Sequence, residues 1–280
     1  MKIFLFLFIA SATNSFPLDL NVTDTYDPLR ARVFLQFSKS AYCDASAISA
    51  WDCVPCQSLT KDYKDNVKVF TDSKTEGQAF VGSSVAENSI VIAFRGSCNL
   101  PNWITNLNYT KKSEYPKCSG CEVHGGFYAA WLALQDGIVA DVLARKKAMP
   151  GARIFVTGHS LGAALAVLAA AELHYSHSLS IEAVYTFGEP RTGNSAFASF
   201  YNQGTHISWR VTHNRDPVPH VPLHIMGFQH IATEVFYNED SSSYVVCNGS
   251  GEDSSCSDHF DLDTKIDDHL HYLGISTDCN

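Results

Sequence analysis

The stretch RIFVTGHSLGAALAVLAAAELH, residues 153–174, decides the fold of this chain of 280 residues. Its first five residues are typical of a buried strand, and the alanine- and leucine-rich run from Leu161 is typical of a helix. Between them lies the pattern G-x-S-x-G, in which Gly158 and Gly162 flank Ser160. A strand, a sharp turn and a helix are the context in which this pattern forms a nucleophile elbow. The sequence therefore predicts that Ser160 Oγ stands above the edge of a sheet, with the Leu161 N–H pointing at the same space.

Apolar runs on both sides of the elbow predict the rest of the sheet and its helices. Further strands are predicted at 78–81, 89–94, 181–187, 206–212 and 231–237, the first two as a hairpin. A helix over 126–148 has an apolar stripe formed by Trp131, Leu134, Ile138 and Val142. A helix that begins at Pro28 has an apolar face formed by Leu29, Val33 and Phe37. Because strands alternate with helices, the predicted fold class is α/β, with one central, mostly parallel mixed sheet flanked by helices.

The N-terminus predicts export. Met1-Lys2 precedes a short apolar run and small residues, which is typical of a signal peptide over residues 1–15, cleaved between residues 12 and 16. Residues 16–280 contain no linker, charge block or repeat, so one domain is expected. No later run is apolar and long enough for a transmembrane helix, and a net charge of −9 argues against a nucleic-acid partner. The protein is expected to be secreted, or to act in the lumen of a secretory or digestive compartment.

Cysteines and sequons fit the same compartment. Nine cysteines in an exported chain predict disulfides with one thiol left over. Zinc is the alternative for the two C-x-x-C pairs, but neither has flanking ligands at finger-like spacing. The predicted glycosylation acceptors are Asn21, Asn108 and Asn248.

An activated serine needs a base and an acid that orients the base. Asp216 is the candidate acid, because it follows a predicted strand and precedes Pro217, whereas Glu239, Asp240 and Asp253 lie in polar stretches typical of solvated loops. His269 is the candidate base and stands in a compact C-terminal segment.

Seven motifs in colinear order resemble the class 3 (fungal-type) lipase family over nearly the whole mature chain. They are FRGS (94–97), NWITNL (102–107), VHGGFYAAW (123–131), GHSLG (158–162), FGEPRTGN (187–194), RDPVPHVP (215–222) and DHLHYLG (268–274). The resemblance implies a single-domain α/β-hydrolase fold with a short lid helix, and a reaction that uses no metal or other cofactor. It also implies the roles of the site residues: Ser160 as nucleophile, Asp216 as orienting acid, His269 as base, and Ser97 with the Leu161 N–H as oxyanion hole.

The resemblance further implies disulfides and a lid. The implied bridges are Cys43–Cys279, Cys53–Cys56 and Cys247–Cys256, which leaves Cys98, Cys118 and Cys121 to form one bridge and one free thiol. Cys118–Cys121 is the simple choice, but a bridge from Cys98 to either would tether the lid. The apolar residues Leu100, Trp103, Ile104 and Leu107 recur at helical spacing, which predicts the lid helix or, alternatively, an ordinary surface helix packed on the core. A glycan at Asn108 would favour a hydrated position for this segment.

These features together predict a secreted serine esterase, most specifically a triacylglycerol lipase that acts as a monomer on lipid at a lipid–water interface. Phospholipase A1 and feruloyl esterase are the alternatives within the same enzyme class, and the apolar lid face disfavours the second. A catalytically silent lipid-binding protein is the alternative of a different class, although such proteins usually lose a member of the triad. Four other residues are expected to have no direct role in the reaction. His159 is expected to be structural, and Arg191 to be an internal hydrogen-bonding residue rather than a substrate clamp. His220 and His224 are four residues apart, but the prolines at 219 and 222 argue against a helix that would align them as a metal pair, so they are expected to be satisfied or solvent-facing histidines.

Overall fold

The computed structural model describes residues 25–99, 102, 111–112, 115–204, 207–260 and 263–280. The strands are β1 (Val67–Asp72), β2 (Gly77–Ser84), β3 (Ser89–Phe94), β4 (Lys111–Lys112), β5 (Val123–His124), β6 (Arg153–His159), β7 (Ile181–Phe187), β8 (Ile207–His213), β9 (Glu234–Tyr237), β10 (Tyr244–Val246), β11 (His271–Tyr272) and β12 (Ile275–Ser276). The α-helices are α1 (Pro28–Ser40), α2 (Ala45–Ala50), α3 (Val54–Gln57), α4 (Gly125–Ala148), α5 (Leu161–Tyr175), α6 (Ser195–Asn202) and α7 (Ile266–His269). The predicted signal peptide lies outside the described residues.

The central sheet has eight strands in the order β1-β2-β3-β6-β7-β8-β9-β10. Strands β3, β6, β7, β8 and β9 run parallel to one another, and β1, β2 and β10 add antiparallel pairs at the two ends. The predicted mixed, mostly parallel sheet and the predicted hairpin are therefore confirmed. Strands β1 and β10 were not predicted, and β9 is shorter than the apolar run that suggested it.

Helices cover both faces of the sheet, so the inner strands are buried on both sides. In β3, Ile90, Ile92 and Phe94 belong to the core packed with α4 and α5, whereas Val91 and Ala93 face the core packed with α1. Such double burial explains why these strands are continuous apolar runs rather than alternating ones.

The two helices predicted upstream of the elbow are present, with one correction. In α1, Val33 and Phe37 are buried, but Leu29 is 68% exposed, so the prediction that Leu29 shares their apolar face was wrong. Arg30 and Ala31 in the same turn are buried, so Leu29 lies on the solvent side of that turn. In α4 the whole predicted stripe of Trp131, Leu134, Ile138 and Val142 is buried.

By length and composition, α4 is the one helix among the described residues that is apolar enough to cross a membrane. Its buried stripe belongs to the same core as β2, β3 and α5. Core helices of globular proteins pass the same test, and packing in this core accounts for the buried stripe.

The topology brings the carboxyl ends of four parallel strands to one edge of the sheet. The pairing of β3 with β6 sets Phe94 beside Gly158, and the pairing of β7 with β8 continues the edge towards the loop that holds Asp216. Side chains that follow these strands lie at the carboxyl edge, where open α/β sheets bind their ligands.

Candidate active site

Ser160 occupies a sharp turn between β6 and α5. Its backbone has φ 60° and ψ −132°, a region that costs residues other than glycine about 1–3 kcal/mol. The turn is tight enough that a Cβ on Gly158 would overlap the backbone of Gly162, and a Cβ on Gly162 would overlap the carbonyl of Phe94. The two glycines of G-x-S-x-G are therefore needed for backbone packing, and the predicted elbow is present.

Asp216 and His269 form a buried pair. Asp216 lies in the loop after β8, and His269 is the last residue of α7. His269 Nδ1 lies 2.9 Å from Asp216 Oδ1 and 2.8 Å from Oδ2, and each residue is at most 2% exposed. Because the carboxylate can only accept, the proton of this bond belongs to Nδ1, and the lone pair of Nε2 remains available.

Two further groups donate to the carboxylate of Asp216. The Val218 N–H lies 2.7 Å from Oδ1, and the hydroxyl of Tyr272 donates to Oδ2. Burial acts against the charge, but the His269 ring and the hydrogen bonds from His269, Tyr272 and Val218 outweigh it and lower the pKa of Asp216 below its usual value. Asp216 is thus an anion that can stabilise a positive charge on His269.

The candidate nucleophile Ser160 and the candidate base His269 each have one side-chain atom without a hydrogen-bond partner in the described part of the chain. Among the described residues, Ser160 Oγ and His269 Nε2 are buried and have no hydrogen-bond partner. The ring of His159, which precedes Ser160, lies 4.4 Å from the ring of His269. A hydroxyl and a basic nitrogen therefore lie in one buried region, free to bond to each other or to a substrate.

The segment that holds His269 is fixed to the end of β8 by Asp268. Its Oδ2 accepts from Asn214 Nδ2 at 2.9 Å and from the Arg215 N–H at 3.1 Å, and its backbone oxygen lies 2.9 Å from His213 Nδ1. These bonds hold the residue next to His269 against the loop that carries Asp216.

Ser97 and Leu161 line one cavity of about 420 Å³ together with Phe127 and Leu165. Ser97 also lines a second cavity of about 310 Å³, which includes His269. The two candidate oxyanion donors thus face open volume beside Ser160. The predicted lid residues Leu100, Trp103, Ile104 and Leu107 lie outside the described residues.

Comparison with known proteins adds to this geometry. The family model "Lipase (class 3)" matches residues 91–226. A lipase of Rhizomucor miehei is 38% identical over 250 residues, which cover 87% of this chain and 68% of that protein. The chain belongs to the class 3 lipase family.

Two further matches are also lipases. The secreted mono- and diacylglycerol lipase 1 of Fusarium solani is 36% identical over 244 residues, covering 80% of this chain and 72% of that protein. A solved triacylglycerol lipase, described as having a serine protease triad at its catalytic centre, matches with a TM-score of 0.83 at 35% identity, covering 89% of this chain and 96% of that one. The protein is a lipase with the α/β-hydrolase fold, that is, a carboxylic ester hydrolase.

The lipase has four disulfides in its described part: Cys43–Cys279, Cys53–Cys56, Cys118–Cys121 and Cys247–Cys256. Cys98 is free and exposed, so the alternative bridges from Cys98 are not the pairing of this structure. The acceptor Asn248 is exposed, whereas Asn21 and Asn108 lie outside the described residues.

Several minor predictions for the lipase are also settled. Arg191 is internal and bonds to Glu252, Asp258 and the backbone oxygen of His220. His220 and His224 lie in separate 3-10 turns rather than on one helix.

Among the acids set aside, Glu239 and Asp240 are exposed as expected. Asp253 is buried instead, where it bonds to Ser255 and to the backbone of Asn248, so its description as a solvated residue was wrong. Together with Cys247 and Cys256 it is the one cluster of potential metal ligands in the described ranges. Because these cysteines are bridged to each other, their sulfurs are not available as thiolates.

Sequence reasoning missed the role of Tyr272, whose hydroxyl donates to Asp216. Tyr272 belongs to the motif DHLHYLG, so its position beside His269 in the chain was a signal that could have identified it. His159 was predicted to be structural, and both of its ring nitrogens have internal partners, Tyr42 and the backbone oxygen of His269.

Proposed function

We propose that the lipase hydrolyses triacylglycerols at a lipid–water interface, by a Ser160–His269–Asp216 triad and through an acyl-enzyme. The observation that carries the proposal is the buried Asp216–His269 pair, whose free Nε2 shares a buried region with the free Ser160 Oγ. A base oriented by an anion and set beside an uncommitted hydroxyl is the arrangement that acyl transfer requires.

In the acylation step, Ser160 Oγ attacks the ester carbonyl carbon and its proton passes to His269 Nε2. The carbonyl oxygen becomes an oxyanion, which accepts hydrogen bonds from the Leu161 N–H and from the backbone N–H and hydroxyl of Ser97. Removal of one such donor typically lowers the rate about a hundred- to a thousandfold. Asp216 stabilises the imidazolium that forms on His269.

The intermediate then collapses. The bond between the carbonyl carbon and the glycerol oxygen breaks, and His269 returns its proton to that oxygen, so a diacylglycerol leaves and the acyl group stays on Ser160. In deacylation, His269 takes a proton from water, the resulting nucleophile attacks the acyl carbon, and Ser160 regains its proton as the fatty acid departs.

Triacylglycerol is proposed as the substrate on two grounds. The matched solved structure is named as a triacylglycerol lipase, and the apolar residues Leu100, Trp103, Ile104 and Leu107 are spaced as in a lid helix that would turn towards lipid. We further propose that the chain is secreted as a monomer after removal of residues 1–15. This agrees with the relatives named as secreted lipases.

The test compares initial rates on a soluble p-nitrophenyl ester, emulsified long-chain triacylglycerol, phosphatidylcholine vesicles and methyl ferulate. Triacylglycerol should give the highest rate, and the rate should rise steeply once the substrate forms an interface. A higher rate on phosphatidylcholine would identify a phospholipase A1, and a higher rate on methyl ferulate a feruloyl esterase.

Two variants test the triad. Ser160→Ala should lose activity by about 10⁶-fold, whereas Ser180→Ala, which removes the hydroxyl of an exposed serine, should keep it. Equal activity in wild type and Ser160→Ala would refute the triad. Mass spectrometry of the secreted protein checks the new N-terminus, and light scattering checks the monomer.

A further inference from the structure

A chain of hydrogen bonds joins Tyr42, which packs against the residue before Ser97, to the backbone of His269. The hydroxyl of Tyr42 lies 2.7 Å from His159 Nδ1, and His159 Nε2 lies 2.9 Å from the backbone oxygen of His269. The hydroxyl of Tyr42 also packs against the backbone of Gly96. Neither Tyr42 nor the side chain of His159 has a place in the reaction steps described above.

The direction of every bond in this chain is fixed. A backbone oxygen only accepts, so His159 carries its proton on Nε2 and donates it to His269. Its Nδ1 is then an acceptor, so the Tyr42 O–H donates to it. Burial first, and the neighbouring His269 second, lower the pKa of His159 well below its usual value, which keeps the ring in this neutral form.

These hydrogen-bonded residues lie between the parts of the site whose relative positions must stay fixed. Gly96 precedes the oxyanion residue Ser97, His159 precedes the nucleophile, and the acceptor at the far end belongs to the base. There is no free space between them: a Cβ on Gly96 would overlap the hydroxyl of Tyr42 and would lie 2.7 Å from the carbonyl oxygen of His159 and 2.9 Å from Ser160 Cβ. Residues from four parts of the sequence thus meet within a few ångströms.

We propose that Tyr42 and His159 are positioning residues, which hold the backbone of His269 at a fixed position relative to Ser160 and Ser97 during ester hydrolysis. The role follows from the bonds: His159 Nε2–H fixes the carbonyl of His269, and Tyr42 fixes the tautomer that makes this donation possible. The inference rests on the proposed function, because holding His269 matters only if His269 is the base. His159 itself is 2% exposed, so it acts through its neighbours rather than on substrate.

Two substitutions at His159 separate the two bonds. The terminal amide of His159→Gln reaches the position of Nε2 and can still donate to the carbonyl of His269. The shorter side chain of His159→Asn ends at the position of Nδ1, so it keeps only an acceptor for Tyr42. Displacement of a catalytic group by about 1 Å costs on the order of a hundredfold. On a soluble ester, kcat of His159→Asn should therefore fall about ten- to a hundredfold, and His159→Gln should retain at least about fivefold more, with KM within about twofold for both.

Tyr42→Phe removes the other bond and has a matched control. Tyr63 is also a tyrosine with one hydroxyl bond, to Ser89 Oγ at 2.9 Å, but it lines neither cavity at the site. Loss of a hydrogen bond of this kind typically changes an equilibrium or a rate about two- to thirteenfold. We expect kcat of Tyr42→Phe to fall about fivefold and that of Tyr63→Phe to stay at the wild-type value, at temperatures where both are folded.

The proposal is overturned if folded His159→Asn and Tyr42→Phe keep the wild-type kcat. It is also overturned if His159→Gln and His159→Asn lose kcat equally, or if Tyr63→Phe loses as much as Tyr42→Phe, because a general loss of stability would then explain the effect. Ser160→Ala, assayed in parallel, keeps the two proposals distinct. An active Ser160→Ala would refute the triad, whereas an inactive one beside unaffected His159 variants would refute only the positioning role.

Discussion

Replacement of Gly188 by alanine should displace Asp216 and His269, and so lower both the stability and the activity of the protein. Gly188 follows β7 with φ +57°, a conformation that costs an L-residue about 1–2 kcal/mol. A Cβ at this position would lie 2.8 Å from Asp216 Oδ2 and 2.8 and 2.9 Å from His269 Cε1 and Nδ1. Non-bonded carbons normally stay about 3.5–4.0 Å apart, so the methyl group must push the carboxylate and the ring away by roughly 0.7 Å or more.

The expected magnitudes follow from these contacts. Overpacking by a methyl group costs about 1–3 kcal/mol, so backbone strain and overlap together should lower the free energy of unfolding by about 2–5 kcal/mol. Since displacement of a catalytic group by about 1 Å costs on the order of a hundredfold, kcat on a soluble ester should fall by about that factor in the folded variant.

Gly249→Ala is the matched control. Gly249 has φ +79° and no atom within 4 Å of the added Cβ, so it shares the backbone strain but not the overlap. It should lose about 1–2 kcal/mol and keep the wild-type kcat. Urea unfolding and initial rates on p-nitrophenyl butyrate measure both quantities. If Gly188→Ala is folded and as active as Gly249→Ala, the inferred packing of Gly188 against the Asp216–His269 pair is wrong.

Three more outcomes are expected. Burial, partly offset by Arg210 and by hydrogen bonds from threonines, raises the pKa of Glu189 to about 7. The folded state then holds a proton that the unfolded state releases, so Glu189 should lower the free energy of unfolding by roughly 3 kcal/mol as pH rises from about 4.5 to about 7. Glu189→Gln should flatten this part of the curve of unfolding free energy against pH. Glu234→Ala leaves the fully buried Arg210, 2.9 Å from the lost carboxylate, without its counter-charge, and should cost about 3–5 kcal/mol in urea unfolding, whereas a cost below 1 kcal/mol would contradict the buried pair. A thiol reagent such as 5,5′-dithiobis(2-nitrobenzoate) should label one cysteine in the native protein and none in Cys98→Ser; labelling that persists in Cys98→Ser would mean that one of the four bridges is open.

The parts of the fold that could be predicted are those set by neighbours in the chain. The elbow depends on Gly158, Ser160 and Gly162, and the inner strands are apolar runs because both their faces are buried. The edge strand β1 escaped prediction because none of its residues is fully buried, so its apolar pattern is weak. Leu29 was misplaced because its spacing from Val33 and Phe37 does not fix which side of the first turn faces the core, and there Arg30 and Ala31 are the buried residues.

The sequence by itself determined the fold class, the family and the identity of the candidate nucleophile, because each depends on short patterns of residues that are neighbours in the chain. Only the tertiary structure decided which groups meet. It brings Asp216, His269 and Tyr272 into one hydrogen-bonded group across more than 50 residues of chain, and it links Tyr42 to His269 through His159. Partners this far apart are selected by the packing of the whole sheet and its helices, and no local pattern specifies the distance between their atoms.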